Sequence, residues 1–431
     1  MGTSAVALTL LAASITQATG GRTTGGRIQK QEMDYQQEAF QQWWETAFVT
    51  KLDDLPTEGV VPKHRVPYSG HDYPDRGGGT IKALRKYDRA FHGGQGVAVT
   101  YERKDILAHR RGLFGRSASD DRPRRGLFGR RLDDSASTGL FSRGGRGFFG
   151  GGFFGRIPAW HGHCNGWAAA AIRHAEPQNN VVRRGVVFTP ADIKGLLAEI
   201  YIYNDTEFLG GIDYIMNPAT IHLVLSNWLG RGEHPIGMET TPGKEAWNYP
   251  IFSYATALQE LSDGRHVDVQ TTVRYATSTP SEHDQSPRNS KDMEFRYRLE
   301  LDAKGQITGG VYMRGSNRID MLWTPLNPVQ GGKKGNELGN PYVNVREVLA
   351  MWRESVPSEV RKQWLNIDPA AEDRVLESSE ESSDKLKPTE QGAPSSQPET
   401  NETPSPQLET NEAPSPQLET NASSLTNAIS G

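Results

Sequence analysis

The sequence predicts an α+β fold: a helix bearing a nucleophile packed on an antiparallel sheet, with a disordered linker and tail outside the core. Three observations carry this. Cys164-Asn165-Gly166-Trp167 runs into four alanines, the composition of a helix buried against neighbours. Thr189-Pro190-Ala191-Asp192 opens a second helix, with Thr189 as N-cap, Pro190 at the first position and a carboxylate at the third. Val267 to Tyr275 and Met293 to Leu301 then alternate apolar and polar with a period of two, and Gln306 to Met313 returns, as strands of a meander with one wet face do.

The elements follow in order. Residues 31–55 read as a helix in which Phe40, Trp43, Trp44 and Phe48 supply the apolar face. Pro and Gly dominate from Pro56 to Gly79, an ordered but irregular segment, and Ile81 to Phe91 is a short amphipathic piece. In the helix begun at Thr189, Ile193, Leu196, Leu197, Ile200 and Tyr201 recur at helical spacing, and Asp192 is a capping carboxylate rather than a catalytic one. Ile221 to Trp228 alternates as a strand, and Pro235 to Thr240 forms a second. Val267 to Tyr275 and Met293 to Leu301 are meander strands, with Phe295, Tyr297 and Leu299 inward. The chain returns along Gln306 to Met313, where Gly309-Gly310 predicts a bulge or a close backbone approach. A last helix spans roughly Val343 to Ser355.

Composition sets the domain plan. Only 35% of the 431 residues are hydrophobic, against 46 glycines and 26 prolines, so the core is concentrated in part of the chain. Residues 1–20 contain a short apolar run, Ala5 to Ala13, followed by small residues, which resembles a secretory signal without its basic start; a disordered cytosolic tail is the alternative. This favours export, to the medium or the cell envelope. Residues 21–103 form an N-terminal segment packing on the core. Residues 104–157 form a linker of Arg, Gly and Phe, in which Arg110–Arg116 and Arg124–Arg130 repeat one heptapeptide. It reads as a flexible basic linker rather than an RNA-contacting segment, because nothing else in the chain reads nucleic acid. The folded core, the candidate catalytic domain, spans 158–371. Residues 372–431 form a tail with three copies of a ten-residue unit rich in Pro, Ser, Glu and Thr, too polar to offset ordering entropy. The net charge of −4 points to no polyanion partner, no stretch is apolar enough to span a membrane, and one cysteine excludes an internal disulfide framework. The sequence assigns no oligomeric state.

Cys164 is the only cysteine, set where an extended segment meets a helix. Backbone N–H groups and the helix dipole at such a position lower a thiol pKa from about 8.5 into roughly the 3.5–7.5 range. A cysteine nucleophile needs a base and a group to orient it. His222, on the predicted strand 221–228, is the candidate base. A hairpin about Gly230-Arg231 sets it beside Glu239, the candidate acid; the same pairing also suits a cross-strand polar contact without chemistry. Backbone N–H groups at Cys164 and Asn165 and the Trp160 indole are candidate oxyanion donors. His161, His163 and Cys164 suggest zinc, but a His-x-His strand turns Cys164 to the opposite face and no further ligand is evident, so no metal is assigned. No EF-hand-like acidic loop is present, so calcium stays open and is not legible in the sequence; no other cofactor is called for.

Four motifs occur in order: Trp160-x-Gly162-x-Cys164-x-Gly166-Trp167, Pro190-x-Asp192-Ile193-Lys194, Asn217-Pro218-x-x-x-His222 and Trp247-Asn248-x-Pro250. In them the chain resembles the transglutaminase elicitor family, over roughly residues 160–254. Lys86-Tyr87-Asp88 and Trp323-Thr324-Pro325 are weaker matches outside that span. The resemblance implies a papain/transglutaminase-like core and a cysteine acyltransferase with a Cys-His-Asp type triad. Carried over, the nucleophile falls on Cys164, the base on His222 and the acid on Glu239, where the family has Asp; Asn248 and Asp320 are substitutes for that third role. Trp247 to Pro250 matches the surface stretch that plants recognise in the family, but the residues after it differ and no recognition is carried over. The implied reaction is protein-glutamine gamma-glutamyl transfer, through a Cys164 thioester, between protein substrates bearing glutamine and lysine. A thiol amidase, deamidase or peptidase with the same residues is one alternative. A non-enzymatic surface or assembly protein with a decayed site is another.

Overall fold

The computed structural model describes residues 25–111, 157, 160–211, 215–242 and 245–365. The predicted leader, nearly all of the basic linker and the repeat tail lie outside these residues. The strands in chain order are β1 (Gly25–Arg27), β2 (Glu58–Val60), β3 (Val181–Arg183), β4 (Val186–Phe188), β5 (Thr206–Gly210), β6 (Ile236–Glu239), β7 (Asn248–Glu260), β8 (His266–Ala276), β9 (Ser290–Leu301), β10 (Ile307–Tyr312) and β11 (Met321–Pro325). The helices are α1 (Lys30–Trp44), α2 (Ile81–Phe91), α3 (Val97–Arg111), α4 (Cys164–Arg173), α5 (Pro190–Tyr201), α6 (Pro218–Val224), α7 (Val345–Ser355) and α8 (Ser358–Leu365).

Among the described residues nine strands form one sheet in the order β1-β10-β9-β8-β7-β6-β11-β5, with β2 pairing on β7, and each of these pairings is antiparallel. The predicted meander is β8, β9 and β10, three adjacent strands of this sheet. Val267, Val269, Thr271 and Val273 of β8 face the core with Phe295, Tyr297 and Leu299 of β9. The double glycine meets both expectations. The β9–β10 register shifts between Ile307 and Gly309, and a Cβ on Gly309 would run into the Gly26 carbonyl of β1.

The sheet separates two hydrophobic layers. On one side Phe40 and Trp43 of α1 and Ile221, Leu223 and Val224 of α6 pack against Met238, Ile251, Phe295 and Leu322. On the other, α2, α4, α5 and α7 pack together against Met321 and Trp323. Neighbouring residues of β11 thus point to opposite layers, as pleating requires.

Two expectations are corrected. Ile221 to Trp228 is not a strand: α6 covers its start and a π-helical turn, Leu225–Arg231, continues it. Asn217 caps α6 by accepting from the Ala219 N–H (2.9 Å), and Pro218 occupies its first turn. The segment is buried on all sides from Pro218 to Leu229, so its apolar pattern held no period to read. Secondly, α3 runs through Arg111, past residue 104, where composition alone begins the linker. Glu102 is buried within it, so this helix is part of the fold.

Candidate functional site around Cys164

Helix α4 begins at Cys164. Its tight seat follows from Gly166: a Cβ there would collide with the Ala198 carbonyl of α5, and the alanines beyond it keep the two helices close. Below α4 lie β6, β7 and β11. The Cys164 thiol donates to the Ala246 carbonyl at 3.5 Å, and the Asn248 amide Nδ2 stands 4.0 Å from Sγ. Asn248 is held in turn, since its Oδ1 accepts from the Trp323 indole N–H at 2.9 Å. Backbone N–H groups of Asn248 and Asn165 also point at the sulfur. Asp72 lies on the other side, accepting from the Trp167 indole at 3.2 Å.

Burial decides the protonation of this thiol. Cys164 is 2% exposed. Loss of solvent pushes its pKa up to about 12, helped by the Asp72 charge and opposed by the Asn248 and Asn165 donors. The expected thiolate is therefore not the resting form. The helix terminus does supply donors, but desolvation outweighs them.

Residues 127–211 match the family model described as Transglutaminase elicitor. The fold is similar to the crystal structure of the GP42 transglutaminase from Phytophthora sojae, with a TM-score of 0.56 and 22% identity over 77% of this chain and 99% of that one. The chain resembles the transglutaminase elicitors in sequence and fold. A comparison with curated proteins gave no match.

Several of the motif residues singled out in the sequence are structural. Asp192 closes a capping box with Thr189, as expected, and is also ion-paired with Lys86. Asp88 caps α3 by accepting from the Ala98 and Val99 N–H groups, each at 3.0 Å. In Trp247-Asn248-Tyr249-Pro250, Asn248 and Pro250 are buried towards α4, so only alternate residues of that stretch reach the surface.

The carried-over triad is not assembled. His222 lies on α6, in the layer across the sheet from α4, and its Nδ1 is hydrogen-bonded with the Tyr297 hydroxyl at 2.9 Å. Burial lowers its pKa to about 4, with no charged partner contributing. The cause of the misplacement is the helix that replaces the predicted strand. Glu239 pairs in register with Asn248 and shares its face, but it does not meet His222. Burial and the neighbouring Asp320 raise its pKa to about 8, so it is not the anionic acid of a triad at neutral pH. Trp160 stacks on His161, with centroids 4.0 Å apart. The Asn165 side chain donates to the Ile202 carbonyl at 2.7 Å, leaving its backbone N–H to serve the thiol. Among the described residues no imidazole hydrogen-bonds Sγ. Sequence reasoning missed Asp72; it precedes Cys164 by over ninety residues and only the fold joins them.

Proposed function

We propose that the chain is a cysteine acyltransferase of the transglutaminase type, with Cys164 as nucleophile, and that the described arrangement is its closed form. The observation that carries the reading is the convergence on one sulfur of two backbone N–H groups and the Asn248 amide. Donors so placed stabilise a thiolate and then the oxyanion of an attacked carboxamide. Sγ attacks the glutamine carboxamide carbon, the C–N bond breaks, ammonia leaves with the thiol proton, and a thioester remains. A lysine amine attacks that thioester, an isopeptide bond forms and the thiol returns. Asp72 and Glu282 line a surface cleft of about 400 Å³, and their carboxylates suit an approaching ammonium.

The second reading is the same fold without chemistry. The protonated, covered thiol, with no imidazole hydrogen-bonded to it among the described residues, favours it. One experiment separates the two. The full chain is given a glutamine-bearing protein and a labelled primary amine, with Cys164→Ala as control. Amine incorporation that depends on Cys164 supports transfer; ammonia release alone supports deamidation, and silence supports the fold without chemistry.

A further inference from the structure

A second constellation lies on the far side of the strap that leads into α4. Residues 161–163 run antiparallel to residues 72–75. Gly162 bridges Pro74, the Asp75 N–H donates to the His161 carbonyl (3.0 Å), and the His163 N–H donates to the Asp72 carbonyl (2.7 Å). Gly162 is needed there, because a Cβ would meet the backbone of residues 72–74 at 2.8 Å. This pairing holds Asp75 beside His161, and α3 delivers His109 to the same point. His109 Nδ1 is 2.6 Å from Asp75 Oδ2, and the His109 and His161 rings are 4.6 Å apart, tilted by 49°. One ligand atom from each of Asp75, His109 and His161 falls within 4.8 Å of the others. Asp75 also joins a second set with Glu102 and His163, both buried. The Glu102 Oε1 and His163 Nδ1 atoms there are buried without a hydrogen-bond partner.

We propose that Asp75, His109 and His161 bind a divalent first-row transition metal ion, with zinc as the leading candidate. Two imidazoles and one carboxylate form a nitrogen-rich donor set, which suits zinc or its neighbours rather than magnesium or calcium. Ligation needs each atom about 2.0–2.2 Å from the ion, a closure that side-chain rotation supplies from these positions. His109 and His161 are half-buried, so the ion has a path in and a solvent molecule has a place on it. Glu102 and His163 lie in the same cluster as Asp75 and are paired elsewhere, His163 Nε2 standing 3.7 Å from Glu102 and 3.3 Å from Glu199, which leaves Asp75 to the two outer imidazoles. The ion ties α3 to the strap that ends at Cys164. The thiol itself faces Ala246 and Asn248 and takes no part.

The test uses the full chain stripped of metal with a chelator. Zinc is titrated by calorimetry, and cobalt(II) is followed by its visible absorption. One equivalent is expected to bind, with cobalt bands of low coordination number. Asp75→Asn and His109→Ala are each expected to weaken binding at least about tenfold. Cys164→Ala and His266→Ala, the latter changing an exposed-strand histidine paired with Asp263, are expected to bind as the parent does. His109 is partly exposed, and circular dichroism verifies that its variant folds. No saturable binding by the parent overturns the proposal. So does binding that survives both ligand substitutions, or that disappears with Cys164.

Discussion

Cys164 and His222 lie on opposite faces of one sheet. Leu322, packed in the layer of α6, and Trp323, packed in the layer of α4, are adjacent residues of β11 and mark the two sides. His222→Leu is therefore expected to leave the labelling rate of Cys164 at neutral pH within about twofold of the parent, whereas a base in contact with the thiol changes it by about tenfold or more. A thiol-reactive chromophore measures this.

His222 also has a role in acid stability. Its folded pKa of about 4 lies below its unfolded value of 6.5, so the folded form binds fewer protons between those limits. The stability it contributes is complete above pH 6.5 and falls as pH drops towards 4. In urea unfolding at a series of pH values, His222→Leu is expected to flatten the curve in that window.

Glu239 works in the opposite sense. Its folded pKa of about 8 exceeds its ordinary 4.5, so the folded state holds a proton that the unfolded state releases. Its contribution is fully present below pH 4.5 and is lost as pH rises to 8, at up to about 1.4 kcal/mol per unit. Glu239→Gln keeps a neutral side chain of the same shape and is expected to raise stability at pH 8 relative to the parent. The same substitution destroys function in a triad that needs the anion, so activity measured alongside tests that role.

Gly166 sets the distance between α4 and α5. Gly166→Val places a branched side chain on the Ala198 carbonyl and is expected to cost about 1–3 kcal/mol, read as a lowered melting temperature. Asn248→Ala removes the Oδ1 that accepts from the buried Trp323 N–H, a buried hydrogen bond whose loss is expected to cost about 1–3 kcal/mol.

Native Cys164 is expected to resist iodoacetamide at pH 7 and to react faster as pH rises towards 12. Unfolding the chain in guanidinium removes the burial and is expected to speed labelling at pH 8 by about tenfold or more. Equal rates in the two states mean that the thiol is open.

Where the sequence carries a local code, the structure follows it. The Thr189–Asp192 capping box, the alternation of β8 and β9 and the glycine pair of β10 each depend on near neighbours. The site does not. His222 lies in a segment buried on every side, where apolar residues alternate by composition and the decisive signal is the short Asn217-Pro218 cap. Asp72, Asn248 and Trp323 converge on Cys164 and Trp167 through sheet order and a backbone bridge, contacts that span from 75 to 95 residues of chain. The thiol pKa departs from the sequence-based expectation for a related reason. Helix position is legible locally, but depth of burial belongs to the whole fold.

The central claim is that Cys164 attacks a glutamine carboxamide. Intact-mass spectrometry of an acid-quenched mixture of the chain and a glutamine-bearing peptide, without added amine, tests it directly. The account predicts a thioester adduct of the peptide mass less ammonia, located on Cys164 and missing from Cys164→Ala. Amine incorporation that persists in Cys164→Ala, or an adduct carried elsewhere on the chain, contradicts it.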